Sequence, residues 1–233
     1  MKLNKIIKIS ATLKCVTGLH IGGSDTLMHI GGVDNPVIKN QVSGEPYIPG
    51  SSIKGKLRSL LEWRSGAVQE QPLSYEDYMK NQSPAVMNIL KLFGLSGDSK
   101  LSAEVASKIG TARLSFWDCS IQPYWVNDMK DRSMLLTEVK TENSINRISG
   151  TAKNPRQTER VPAGTPFDFN LSLKIYDGDD ENALLNEVFS ALKLLELDSL
   201  GGSGSRGYGK VKFSDLTVDG VNKQAEFDNT KPF

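Results

Sequence analysis

Ile7, Ile9, Ala11, Leu13 and Cys15 alternate with Lys8, Ser10, Thr12 and Lys14. A period of two predicts a strand with one face on a core and the other in water. Pro49-Gly50-Ser51-Ser52 then offers a hydroxyl cap, and Ile53, Leu57, Leu60 and Leu61 follow at the spacing of a helix stripe. Ala112, Leu114 and Phe116 resume the period of two. So do Phe167, Phe169, Leu171, Leu173 and Ile175, interleaved with Asp168, Asn170, Ser172 and Lys174. Leu185, Val188, Phe189, Leu192 and Leu195 predict a second helix that stops before Gly201-Gly202, and Val211 and Phe213 predict a last strand. The order β-α-β-β-α-β predicts an α+β, ferredoxin-like core of the kind RNA recognition motifs share.

Three connections, residues 17 to 50, 66 to 110 and 122 to 166, exceed the few residues that compact domains use. Function is expected there. The apolar run Val86 to Phe93 predicts a helical lid within 66 to 110. The stretch 122 to 166 is rich in Asn, Thr and Arg, and Gly150 and Pro155 interrupt it, so it predicts a protruding hairpin or arm. At roughly 150 residues per domain, the 233 residues read as one domain, 1 to 233, carrying these insertions.

Composition narrows the function class. The formal net charge is +1, so no overall basic field announces a nucleic-acid partner. Residues 1 to 64 nevertheless hold nine Lys and Arg against four acidic residues, and much of the balancing acid lies in Asp177, Asp179, Asp180, Glu181, Glu187, Glu196 and Asp198. That polarity suggests one face for a polyanion. Cys15, Cys119, His20 and His29 cannot supply the paired spacings of a structural zinc site or a disulfide framework. The first fifteen residues alternate where a signal peptide needs a continuous apolar stretch, no apolar run reaches 18 residues, and a cytoplasmic location is expected.

Several motifs carry chemistry. Gly202 to Gly207 fits G-x-G-x-x-G but opens onto a strand, the reverse of the dinucleotide fingerprint, and the P-loop spacings put Leu57 and Val211 where the Mg²⁺-binding hydroxyl belongs. Nucleotide hydrolysis is excluded on those grounds. The glycine turn reads either as a flexible turn or as approachable backbone N–H groups with Arg206 and Lys210 beside them. At Pro49 to Arg58 a helix start capped by Ser51 or Ser52 would face an anion, with Lys54 and Arg58 on one face and Lys56 off it. A solvated helix face is the competing reading. Asp34, before Asn35-Pro36, reads as a turn former or a catalytic carboxylate, and His20 as a packed histidine, a phosphate contact or an acid/base group.

Five motifs in order carry a family resemblance: Thr17-Gly18-Leu19-His20-Ile21-Gly22-Gly23-Ser24; Gly32-Val33-Asp34-Asn35-Pro36-Val37-Ile38-Lys39; Ile48 to Arg58; Asn154-Pro155-Arg156-Gln157; and Leu200 to Lys210. From about residue 6 to residue 218 the chain resembles the RAMP superfamily, and within it the repeated backbone subunits of type III-A CRISPR effectors, the third subunit of the Csm complex. That resemblance implies head-to-tail stacking of copies along a CRISPR RNA, with a thumb insertion displacing nucleotides at regular intervals. It implies that each copy cleaves target RNA beside Asp34, and that other effector subunits are partners. It places RNA contacts at His20 and Lys54, with Glu138-Val139-Lys140 and Arg156 to Arg160 in the thumb, and the charge, helix-start and glycine-turn readings add Ser51, Ser52, Lys56, Arg58, Arg147, Gly204 and Arg206 as candidate RNA contacts. Two cysteines are too few for the zinc-bound insertion some relatives carry.

A carboxylate of ordinary pKa, about 3.9, is a weak base near neutral pH. Asp34 is therefore expected to hold a divalent ion, Mg²⁺ by preference, with substrate phosphate completing the ligand set. The expected reaction is attack of a splayed 2′-hydroxyl on its own phosphate. Two rivals stand beside this reading: a non-catalytic RNA-binding filament, and a guide-processing ribonuclease using His20.

Overall fold

The computed structural model describes residues 2–23, 33–95 and 109–233. Ser24 and Gly32 of the resemblance motifs, and residues 96–108 of the expected lid, lie outside the described residues. The core sheet runs β3(Leu114–Phe116), β7(Pro166–Tyr176), β1(Leu3–Cys15), β8(Val211–Val218), β9(Val221–Asn222), antiparallel throughout. With α1(Gly50–Ser65) and α5(Glu181–Leu197) as the two crossovers, this is the ferredoxin-like arrangement that periodicity predicts.

One-sided burial explains why the pattern was readable. In the β1–β7 register Ile9 faces Leu171 and Leu13 faces Phe167, and across β8 Leu13 faces Phe213. These side chains, with Ile53, Leu57 and Leu61 of α1 and Leu184, Val188, Leu192 and Leu195 of α5, are all buried. Each large apolar side chain withdrawn from water contributes about 1.5–3 kcal/mol. Phe169, Phe213 and Phe227 form an edge-to-face series at 5.1 and 6.1 Å that joins the sheet to the C-terminal helix α6(Gln224–Asp228).

The insertions hang on this core. The short pair β2(Tyr47–Ile48) and β4(Cys119–Ser120) precedes α1 and follows β3. Within 66 to 110 lie two helices, α2(Tyr75–Asn81) and α3(Pro84–Phe93), the second spanning the apolar run and packed through Val86, Ile89, Leu90 and Phe93. Within 122 to 166, α4(Pro123–Asp131) leads into a separate hairpin of β5(Glu138–Ile145) and β6(Ala152–Arg160), the expected arm. The distal half of that hairpin is exposed on both faces. Among the described residues no helix is long and apolar enough to cross a membrane.

Helix α1 corrects one expectation. Its cap is Pro49, with no side-chain capping bond, so neither Ser51 nor Ser52 caps it. The helix starts one residue earlier than the hydroxyls suggest, and the Gly50 N–H donates to Asp118 Oδ1 (2.8 Å) from the β3–β4 turn. A carboxylate of the protein thus already occupies the positive end of the helix.

Candidate nucleic-acid interface

Three segments converge beside the sheet: the loop after β1, the base of the β5–β6 hairpin, and the glycine-rich turn before β8. Leu19 and Val161 exchange backbone hydrogen bonds (2.9 and 2.8 Å), Gly202 N–H donates to His20 O (2.9 Å), and Gly209 N–H donates to Gly18 O (2.9 Å). A Cβ on Gly18 would collide with the Arg160 side chain, and one on Gly209 with the Leu200 carbonyl. Close approach of backbones is what Gly209 serves, while Gly18 and Gly204 leave room for the Arg160 and Ser199 side chains.

Asp34 is exposed and leans on the hairpin: its Oδ2 accepts from the Gln157 N–H (3.1 Å). Asn35 secures the same contact, donating to Gln157 O (3.2 Å) and accepting from Glu159 N–H (3.0 Å). Behind it sits Glu159, 6% exposed, whose carboxylate accepts from Val37 N–H (2.9 Å), Lys39 Nζ (2.5 Å) and Thr137 Oγ1 (2.7 Å). Burial alone would raise the pKa of this carboxyl, but the Lys39, Thr137 and Val37 donors hold it below the usual range. His20 Nδ1 lies 2.7 Å from Glu159 O. A carbonyl only accepts, so Nδ1 carries the proton and Nε2 keeps its lone pair in the neutral ring.

On the other edge of the hairpin, Lys140 Nζ stands 4.5 Å and Arg160 Cζ 5.1 Å from the centroid of the buried Tyr208 ring. Arg160 pairs with Glu138 (2.6 Å), and Glu142 bridges Lys140 and Arg206 at 3.2 Å each. The Lys140 hydrogen bond, outweighing partial burial, holds the Glu142 carboxyl below the usual range, with Tyr208 and Arg206 adding to it. Burial, then Glu142, pushes the Tyr208 hydroxyl up.

Residues 12–212 match the family model of the RAMP superfamily. The chain belongs to the RAMP superfamily. Among its relatives is the CRISPR system Cms endoribonuclease Csm3 of Methanothermobacter thermautotrophicus, 40% identical over 228 residues, covering 94% of this chain and 87% of the relative. The protein of that name from Streptococcus thermophilus is 44% identical over 220 residues, covering 92% and 90%. In the crystal structure of a Csm3–Csm4 subcomplex of the type III-A CRISPR-Cas interference complex, the similar chain superposes with a TM-score of 0.55 at 28% identity, covering 94% of this chain and 80% of that one. The Methanopyrus kandleri Csm3 crystal structure gives 0.59 at 25%, covering 93% and 78%.

Within this RAMP fold the residues singled out from the sequence separate into groups. Asp34, His20, Lys140, Arg160 and Arg206 gather around the hairpin base. Lys54 on α1, and Arg147 and Arg156 on the hairpin, have no carboxylate partner among the described residues. Arg58 departs from expectation. Its guanidinium pairs with Glu62 (2.8 Å) and donates to Gly94 O (3.2 Å) and Leu73 O (2.9 Å), fastening the lid to α1. Lys56 turns the other way, onto Asp198 (2.6 Å). Glu159, Glu142 and Tyr208 carry the site's geometry and were not picked out from the sequence as site residues. Two motifs contain such residues, Arg156 to Arg160 with Glu159 and Leu200 to Lys210 with Tyr208, but neither shows where the side chain points.

The donor set bears on a metal. Among the described residues no group of three or more His, Cys, Asp or Glu side chains could hold an ion. Asp34 has one oxygen committed to Gln157 and the other without a partner among the described residues. That fits a hydrated divalent ion completed by substrate phosphate, as Mg²⁺ accepts, and not an ion caged by the protein. Cys15 and Cys119 offer nothing here, since burial pushes both thiols up to about 12.

Proposed function

We infer that this chain is the guide-gripping backbone subunit of a type III-A CRISPR interference complex, a cytoplasmic ribonucleoprotein, and that it cleaves complementary target RNA at regular intervals. Its partners are the CRISPR RNA, the target RNA, further copies stacked head to tail, and the other subunits of the complex. The observation that carries the reading is the placement of Asp34: exposed to solvent, yet fixed by Gln157 to a hairpin whose outer part bears Arg147, Lys153 and Arg156 without carboxylate partners among the described residues. The endoribonuclease names of relatives up to 44% identical support it.

Cleavage follows from positioning. The hairpin holds a target nucleotide out of stack, so that its O2′ lines up with the adjacent phosphorus. O2′ attacks, the P–O5′ bond breaks, the hydroxyl proton passes to solvent, and the departing O5′ takes one up. The products are a 2′,3′-cyclic phosphate and a 5′-hydroxyl. The Asp34 oxygen without a partner among the described residues would hold a divalent ion there, and cations of the hairpin hold the flanking phosphates. When bound, Mg²⁺ supplies charge neutralisation at the phosphate oxygens.

The test is target cleavage by the assembled complex carrying Asp34→Ala. Guide and target affinities should stay within about twofold, as for a surface substitution, while periodic cutting disappears. Chelation should stop the unsubstituted complex and Mg²⁺ should restore it. Full cutting by the variant would make this chain a scaffold, with the nuclease elsewhere; cutting that survives chelation would remove the ion and favour the His20 mechanism.

A further inference from the structure

Resting on the RNA-binding reading above, we propose that Glu142 is a placeholder for an RNA phosphate, its carboxylate filling the gap between Lys140 and Arg206 until a strand laid along the hairpin displaces it. The two oxygens of Glu142 each take a separate cation, Oε1 toward Lys140 Nζ and Oε2 toward Arg206 NH1. Two non-bridging oxygens of a phosphodiester present the same pattern to the same cations.

The contact is built to let go. Both distances are 3.2 Å, beyond the 2.7–2.9 Å or so of a firm charge-assisted bond. The neighbouring pairs are tighter, at 2.6 Å for Arg160–Glu138 and 2.5 Å for Lys39–Glu159. Arg206 is 58% exposed and Lys140 36% exposed at the side chain, so a ligand reaches both without any core rearrangement. The floor of the site is fixed, because the buried Tyr208 ring sits beneath Lys140 and Arg160. The turn bearing Arg206 is open at Gly207, where a Cβ would meet nothing within 4 Å. Three cations against Glu138 and Glu142 leave this patch positive once Glu142 swings away.

Glu142 therefore lowers RNA affinity and sets a threshold that short or poorly seated strands fail to cross. The experiment is binding of a labelled single-stranded RNA to the full chain, compared between the unsubstituted protein and Glu142→Gln, which keeps shape and removes charge. Affinity should rise about three- to tenfold, the scale of one or two half-exposed ion pairs. The slope of log affinity against log salt should stay the same, because Lys140 and Arg206 meet the same phosphate in both complexes; a steeper slope in the variant would mean that RNA does not displace Glu142 and would overturn the proposal. Adding Arg206→Ala should cancel most of the gain. Unchanged or weaker binding by Glu142→Gln overturns the proposal and makes Glu142 a tie between hairpin and turn. If the unsubstituted chain and its assembled complex bind no RNA, the functional reading falls too, so the two failures are told apart.

Discussion

Replacing Glu159 by Gln isolates what holds the Asp34 loop against the hairpin. The carboxylate accepts three hydrogen bonds from residues 37, 39 and 137, and a Gln amide keeps one acceptor oxygen while turning an NH₂ toward Lys39 and Thr137. Hydrogen bonds involving a charged group contribute about 1.5–3 kcal/mol each. Lys39 is 39% exposed, so its share is screened and the total loss is set at about 2–3 kcal/mol. The loss falls on local opening, because the core sheet does not depend on it. The reporter is the Ile38 amide, which donates to Ile21 O (2.9 Å) and so registers loop opening and not the deleted contact. Its hydrogen-exchange protection should drop about thirty- to a hundredfold, at tenfold per 1.4 kcal/mol, with no matching change at Ile9 or Leu171. Acid should mimic the substitution. Glu159 titrates below its unfolded value, so its contribution is complete above the ordinary glutamate range and disappears as pH falls through the lowered folded value. Equal Ile38 protection in the two proteins would refute the clasp.

Two further outcomes test the sorting of basic residues. Lys54→Ala should flatten the salt dependence of guide binding by about 0.7 log unit, the share of one phosphate contact on a single strand; an unchanged slope in a salt titration places Lys54 off the RNA path. Asp179→Ala should act on stability alone. Its carboxylate, 2% exposed, takes Arg113 through both oxygens (3.0 and 3.1 Å) and also Lys91 (3.4 Å). Breaking such a buried pair costs about 3–5 kcal/mol, or about 6–20 °C in melting temperature for a chain of this size, measurable by calorimetry. A shift under two degrees would show that the network is not holding β3 and α3 to the sheet.

The core was readable because burial on one face imprints a period on the chain: every apolar residue quoted for β1 and β7, apart from the half-buried Ala11, is buried. The hairpin was readable only as an interruption, through Gly150 and Pro155, since its distal strands have two wet faces and no period. Helix α4 leaves only a short signal, Pro123 at its first turn and the buried Val126 and Met129 three apart. The α1 cap is hidden in the sequence because the group that meets the helix start, Asp118, lies 68 residues away. Glu159 was invisible for the same reason. Its carboxylate is fixed by Val37 and Lys39, more than a hundred positions away.

Those long-range polar contacts also decide which cations are available to a polyanion. A lysine or arginine in a short, buried pair is part of the framework, because RNA would have to outcompete a carboxylate that is already desolvated. Arg58 with Glu62 and Arg113 with Asp179 are of that kind. A cation in a long, half-exposed pair is available at the cost of one displaceable carboxylate, as with Lys140 and Arg206. Lys54, Arg147 and Arg156, with no carboxylate at hand among the described residues, are available outright. The second and third groups include the hairpin, α1 and the glycine-rich turn, so a strand bound by them would pass the loop that displays Asp34. Charge that looks balanced along the sequence, 28 basic residues against 27 acidic, is thus divided by folding into pairs that brace the fold and cations open to a polyanion.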